Sequence, residues 1–214
     1  MCGIAGIFDF AGRPIDAELS VRACATMRHR GPDDHGTWTD SRPDVSAMLA
    51  STRLAVIDPT TAGHQPMLRA GGRFAIVLNG TIYNYRELRD ELVAEGDEFA
   101  SRCDTEVALA ACARWGSDAL PRFNGMWALA FYDSHRRTGF LARDRFGIKP
   151  LFWTHHSQRL AFASEMPTLT ELSHGSRDID PAALTHYIRF GYIVHPRTIH
   201  AGVHRLPPAT FMAF

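Results

Sequence analysis

Apolar positions fall into two rhythms along this chain. Residues 2–9 form a short apolar run in which Gly3 and Gly6 let other backbone approach closely. From Asp16, the spacing of Leu19, Val21, Cys24 and Met27 predicts an amphipathic helix, and the charged run 28–34 that follows is a loop because it contains Gly31-Pro32. Apolar runs recur at 45–50 and 54–57, and 58–66 is a turn-rich connection. Residues 73–79 predict a strand ending at Asn79-Gly80, a pair whose ordinary role is a tight hairpin turn. Helical spacing returns at 85–94, where Leu88 and Leu92 lie four apart, and at 104–115, with Asp104 placed as an N-cap. The rhythm then shortens. Segments 126–133, 139–143, 150–154 and 160–164 predict a meander of antiparallel strands. Asp180-Pro181 opens a last helix running to about Phe190, and the mixed, Pro-rich 191–214 reads as a strand leading elsewhere or an edge. Helices between two strand-rich halves suggest two antiparallel sheets face to face with helices outside, although periodicity alone fits an α+β sheet equally well.

Composition narrows the class without naming a chemistry. The 214 residues are 45% hydrophobic, enough for one domain with a sizeable core, and 23 basic against 23 acidic side chains leave no footprint for nucleic acid or an anionic membrane. No apolar run approaches the ~18 residues of a membrane span, and the N-terminus lacks the basic and apolar regions of a secretory signal, so a cytoplasmic location is expected. Cys2, Cys24, Cys103 and Cys112 form no CxxC pair, which fits free thiols in a reducing compartment and gives a metal site little support. The eleven histidines, His155-His156 among them, form no HxxxH or HExxH face and read as solvated surface groups.

The chemistry begins at residue 2. Removal of Met1 would leave Cys2 with a thiol and a free α-amine on adjacent atoms. An α-amine titrates at pH ~8 and a thiol at pH ~8.5, so the amine can act as the base that takes the thiol proton. The bland alternative is a buried cysteine in an ordinary first strand.

Six ordered blocks decide between these. They are Cys2-Gly3-Ile4-Ala5-Gly6, Arg28-His29-Arg30-Gly31-Pro32-Asp33, Arg53-Leu54-Ala55-Val56-Ile57-Asp58, Asn79-Gly80-Thr81-Ile82-Tyr83-Asn84, Asp104-Thr105-Glu106 and the run Arg143-Asp144-Arg145-Phe146-Gly147-Ile148-Lys149-Pro150-Leu151. Together they resemble the glutaminase domain of the glutamine-hydrolysing asparagine synthetases, a branch of the class II glutamine amidotransferases. Relatives that make amino-sugar phosphates or phosphoribosylamine lack this Arg-Gly-Pro-Asp loop. The resemblance implies an α+β fold, the four-layer αββα sandwich of two antiparallel sheets found in N-terminal nucleophile hydrolases. It implies that L-glutamine is hydrolysed through a Cys2 thioester, with Asn79 and Gly80 as the oxyanion hole. Arg53 and Asp104 would hold the α-carboxylate and α-ammonium, and the loop at 28–36 would close over the substrate. Within the residues alone, an internal salt bridge between Arg53 and Asp58 stays open.

Two departures stand out. Thr81 replaces the family's usual Glu, a weaker partner for a cation, which predicts looser glutamine binding or altered selectivity. Ser51 stands where a His is customary two residues before the arginine, and no role follows from it. The expected organisation is a glutaminase domain over 2–190 and a tail, 191–214, resembling the linker into a synthetase domain that these residues do not include. No cofactor is expected here; ATP and magnesium would belong to a separate synthetase domain or partner that takes up the ammonia. The alternative is a catalytically silent glutamine-binding or scaffolding subunit of a synthetase complex.

Overall fold

The computed structural model describes residues 1–173 and 177–214. Its strands form two antiparallel sheets. The first comprises β1 (Gly3–Asp9), β2 (Asp34–Ser41), β3 (Ser46–Arg53), β8 (Phe152–His156), β9 (Arg159–Ala163) and β10 (His204–Arg205), in the order β10-β8-β9-β1-β3-β2. The second comprises β4 (Met67–Arg69), β5 (Phe74–Ile82), β6 (Gly125–Asp133), β7 (Thr138–Arg143) and β11 (Phe211–Ala213), in the order β11-β7-β6-β5-β4.

Three apolar layers hold four structural layers together. Phe8, Leu49, Val77, Tyr132, Leu141 and Phe162 meet between the sheets. Helices α1 (Ala17–Met27) and α4 (Met166–Ser173) cover the first sheet through Leu19, Met27, Leu169 and Leu172. Helices α2 (Tyr85–Ala94) and α3 (Asp104–Trp115) cover the second through Leu88, Leu92, Val107 and Leu109. This is the αββα arrangement. Because both faces of a central strand are covered, β1 and β3 are buried along their whole length instead of alternating. At the edge, β2 alternates between half-buried and exposed positions.

Asp16 caps α1 by accepting from the Glu18 N–H at 2.9 Å. Helix α5 (Pro181–Phe190) is capped in the same way by Asp180 and closed by Gly191 in the left-handed conformation. Its outer surface and the following turn leave Leu184, Tyr187, Ile188, Phe190, Tyr192 and Val194 exposed. Beyond it the tail returns to the sandwich as edge strands: β10 pairs with β8 and β11 with β7.

The structure corrects three local expectations. Asn79-Gly80 is not a turn, because β5 continues through it to Ile82 in unbroken register with β6. The apolar run 54–57 is irregular and leaves Leu54 and Val56 exposed. Asp104 is the first residue of α3 rather than its N-cap; Cys103 holds the cap position, and no side chain caps there.

Candidate active site

A cavity of about 190 Å³ opens where the N-terminal end of β1 meets β5. It is smaller than the ~300–1,000 Å³ typical of drug-sized ligands, so it suits a small molecule. Cys2, Arg53, Asn79, Gly80, Thr81 and Asp104 all line it. Residues up to 102 positions apart in sequence therefore share one wall.

The thiol of Cys2 is one of the lining groups. Cys2 is half-buried, its S–H donates to the Leu54 carbonyl at 3.8 Å, and the exposed Met1 borders the same cavity. Its backbone is held by Arg30, whose Nε donates to the Cys2 carbonyl at 2.9 Å while Nη1 pairs with Glu165 at 2.8 Å. Burial works to raise the Glu165 carboxyl, but hydrogen bonds from Arg30 and His29 outweigh it and hold that group below the usual carboxylate range. The 28–36 segment, expected as a closing loop, is stitched down here. Asp33 donates its N–H to the Arg53 carbonyl at 3.1 Å and accepts from the Ala55 N–H at 2.9 Å, and β2 begins at Asp34.

Asn79 lines the same cavity as Cys2. Its side chain is fully buried, yet among the described residues neither its Nδ2 nor its Oδ1 has a hydrogen-bond partner. An unpaired buried amide costs about 1–3 kcal/mol, so its persistence at a cavity wall points to a ligand group that would complete it. Gly80 has φ +150°, and a Cβ there would collide with the Met126 carbonyl oxygen, so only glycine brings β5 this close to β6. Gln65 fixes the height of this strand by accepting from the Leu78 N–H at 2.7 Å and donating to its carbonyl at 3.2 Å.

Two charged residues line the cavity as well. Arg53 is buried and makes no ion pair among the described residues. Its guanidinium donates to the carbonyls of Asp58 and Thr60, not to the Asp58 carboxylate as a salt bridge would require. That carboxylate is taken by the Thr60 hydroxyl and N–H and by the Arg102 N–H, which hold it below its usual range. Asp104 is buried too, accepts from the Ile82 N–H at 2.9 Å, and receives the Cys103 S–H at 3.6 Å. Burial pushes its carboxyl up despite these donors. Half-buried Thr81 faces the same space.

Sequence reasoning missed Lys149, Gln65 and Cys103 as parts of this wall. Lys149 lies in a quoted motif, and a lysine among apolar residues was the available signal. Cys24, Cys103 and Cys112 are buried free thiols in separate surroundings. Among the described residues, no group of three or more His, Cys, Asp and Glu side chains could hold a metal ion.

Residues 1–214 match the family described as "Glutamine amidotransferase domain". The chain belongs to that family. This glutamine amidotransferase domain is 42% identical over 204 residues to a Mycobacterium tuberculosis protein provisionally named as a glutamine-hydrolysing asparagine synthetase, covering 91% of this chain and 31% of the relative. It is 34% identical over 218 residues to asparagine synthetase [glutamine-hydrolyzing] 3 of Bacillus subtilis, covering 100% of this chain and 35% of that protein. The domain thus spans about a third of the length of these relatives. In fold it is similar to the glutamine phosphoribosylpyrophosphate amidotransferase of B. subtilis, with TM-score 0.63 and 17% identity over 79% of this chain and 43% of that one. A second solved structure, an allosteric regulatory enzyme of purine biosynthesis, gives TM-score 0.68 and 16% identity over 99% of this chain and 46% of that one. Among the described residues no helix is long and apolar enough to cross a membrane.

Proposed function

We propose that this glutamine amidotransferase domain hydrolyses the side-chain amide of L-glutamine through a Cys2 thioester, and that an ATP-dependent amide synthetase such as asparagine synthetase consumes the ammonia. The observation that carries this reading is the fully buried, unpartnered Asn79 amide in the cavity wall shared with Cys2.

With Met1 removed, the Cys2 α-amine accepts the thiol proton, and the thiolate attacks the amide carbon. Negative charge then grows on the carbonyl oxygen. Asn79 Nδ2 and the Gly80 N–H are the donors proposed for it, and because Asn79 has no partner among the described residues, its hydrogen bond is reserved for substrate. As the tetrahedral intermediate collapses, the leaving nitrogen takes the proton back from the α-ammonium and departs as ammonia. Water then opens the thioester to glutamate and regenerates the thiol. Arg53 would bind the α-carboxylate through guanidinium positions left by its two carbonyl partners, and Asp104, assisted by Thr81, would bind the α-ammonium.

The synthetase half of the proposal draws on the names of the relatives and on the apolar surface of α5 and the following turn. There Ile188 is 76% exposed and Tyr192 61%, a surface suited to a covering domain or subunit. ATP and magnesium belong to that partner in this reading, and residues 191–214 are proposed as the passage toward it after they have contributed β10 and β11.

The test is glutamate release from glutamine by the purified chain, beside a Cys2→Ala control and with labelling by a thiol-reactive glutamine analogue. Turnover and covalent labelling at Cys2 are expected in the wild type, with a loss on the order of 10³-fold or more in the control. Glutamine binding without labelling or turnover would favour the silent scaffolding subunit instead. Retention of Met1 in active protein, read by mass spectrometry, would overturn the N-terminal nucleophile.

A further inference from the structure

The turn that joins β7 to β8 inverts the usual pattern of burial. Phe146 is 80% exposed and Ile148 55% exposed, whereas Lys149 between Ile148 and Pro150 is 5% exposed and lines the cavity with Cys2. Lysine is almost never fully buried without a partner, so a lysine turned inward while two large apolar neighbours face solvent calls for a physical cause.

Two side chains impose that geometry. The Asp144 carboxylate accepts from the N–H groups of Phe146 at 2.9 Å, Ile148 at 3.2 Å, Lys149 at 3.2 Å and, across on β6, Trp127 at 3.2 Å. The Arg143 guanidinium donates to the carbonyls of Lys149 at 2.6 Å, Leu206 at 2.6 Å and Gly147. Gly147 adopts φ +63°, which lets the turn reverse beneath this clamp. Two buried charged residues are thus spent on the backbone of one turn. The product of that construction is the position of Lys149.

We propose that Lys149 is a positioning residue of the glutaminase site, its ammonium acting through Cys2 to favour the thiolate and to keep the adjacent α-amine in its neutral, proton-accepting form. The inference rests on the reading of Cys2 as nucleophile given above. Both effects follow from one cation beside the pair, since it attracts the developing sulfur anion and repels a proton on the neighbouring amine. No ion pair claims the Lys149 side chain among the described residues. The other charged groups around Cys2 are already engaged: Arg30 with Glu165 and the Cys2 carbonyl, Arg53 with two carbonyls, Asp58 with Thr60 and Arg102, and Asp104 with Ile82 and Cys103. Burial and the nearby Arg30 push the Lys149 ammonium down, while Cys2 and Asp144 act in the opposite direction, which places Cys2 within electrostatic reach.

The test reads Cys2 directly and needs no glutamine. In chain lacking Met1, the rate of Cys2 alkylation by neutral iodoacetamide is followed by peptide mass mapping from pH 6 to 10 for wild type, Lys149→Gln and Lys149→Arg. Mapping separates Cys2 from Cys103, which lines the same cavity. At pH 7, Lys149→Gln is expected to slow alkylation about tenfold and Lys149→Arg to stay near wild type, with all three converging at pH ~10, where the thiolate forms unaided. Rates for Lys149→Gln equal to wild type at pH 7 would overturn the proposal. So would a deficit that persists undiminished at high pH, or one that Lys149→Arg shares, since both mark structural damage rather than a missing charge. Glutamate release by the wild type is measured in parallel: silence there, with the alkylation pattern intact, counts against the glutaminase reading and leaves the role of Lys149 standing.

Discussion

Two sets of residues share the cavity, named by their proposed roles as a reacting end and a recognition end, and they are built on opposite principles. At the reacting end the polar groups are held in reserve: among the described residues, nothing hydrogen-bonds the Asn79 amide and nothing forms an ion pair with the Lys149 ammonium. At the recognition end the charges are already partly committed, Arg53 to the carbonyls of Asp58 and Thr60, and Asp104 to the Ile82 N–H. A group in reserve contributes to the transition state and little to folding. A committed group serves both. Substitutions at the two ends should therefore separate: the first kind alters turnover and leaves stability near its original value, while the second alters substrate affinity and stability together.

The largest effect that tests this contrast is at Asn79. Asn79→Ala removes a donor to the oxyanion and should lower kcat by about 10²–10³-fold, with KM changed little. Because the amide makes no hydrogen bond among the described residues, its loss strands no partner there, and stability should change by no more than about 1 kcal/mol. Steady-state kinetics and a thermal melt on the same preparation check both halves. A strongly destabilised variant would mean that the Asn79 amide belongs to the fold, and the distinction between the two ends would fail.

Regular elements were legible in the sequence because their signals are local. The Leu88 and Leu92 spacing of α2, the Leu19, Cys24 and Met27 spacing of α1 and the Asp180-Pro181 start of α5 each correspond to an observed helix. Strand β2 was hidden, since its sequence DHGTWTDS is polar, and its half-exposed alternation reflects an edge position that only the assembled sheet defines. Helix α4 was missed as well, because a short segment with Leu169 and Leu172 as its main apolar contacts carries little periodic signal. Asn79-Gly80 misled for a different reason. The dipeptide is a strong hairpin signal, but here its glycine serves a close approach of β5 to β6 inside a nine-residue strand. The site residues were named from a resemblance, and their convergence on one cavity is a tertiary fact. For Lys149 the sequence carried only a lysine among apolar residues, a weak signal because its inward placement depends on the Arg143 and Asp144 clamp rather than on its own neighbours in sequence.

The next effect belongs to the committed end. Burial raises the Asp104 carboxyl above the unfolded value of ~3.9, so the folded chain binds that proton more tightly than the unfolded one. Stability from this group is then present below the unfolded value, is lost as pH rises through the window up to the raised folded value, and the cost of the buried charge is complete above it. Asp104→Asn removes that cost while keeping an oxygen for the Ile82 N–H. At pH 7 the variant should melt about 2–4 °C above wild type, with the advantage gone at pH ~3, while KM for glutamine rises about tenfold. Melts at the two pH values and a KM measurement suffice. A lower melting temperature at pH 7 with unchanged KM would assign the carboxylate to the fold alone.

The smallest effect sharpens the recognition end further. Thr81 is half-buried on the cavity wall shared with Asp104, and it supplies a hydroxyl where a carboxylate is customary in the resembling family. Thr81→Glu adds an anion to a site whose proposed ligand group is an ammonium, and a partly exposed pair of this kind contributes about 0.2–1 kcal/mol. KM for glutamine should therefore fall about threefold with kcat unchanged, and the benefit should shrink in high salt, where exposed pairs are screened. An unchanged KM would mean that Asp104 alone meets the α-ammonium, and that position 81 borders the cavity without touching the substrate.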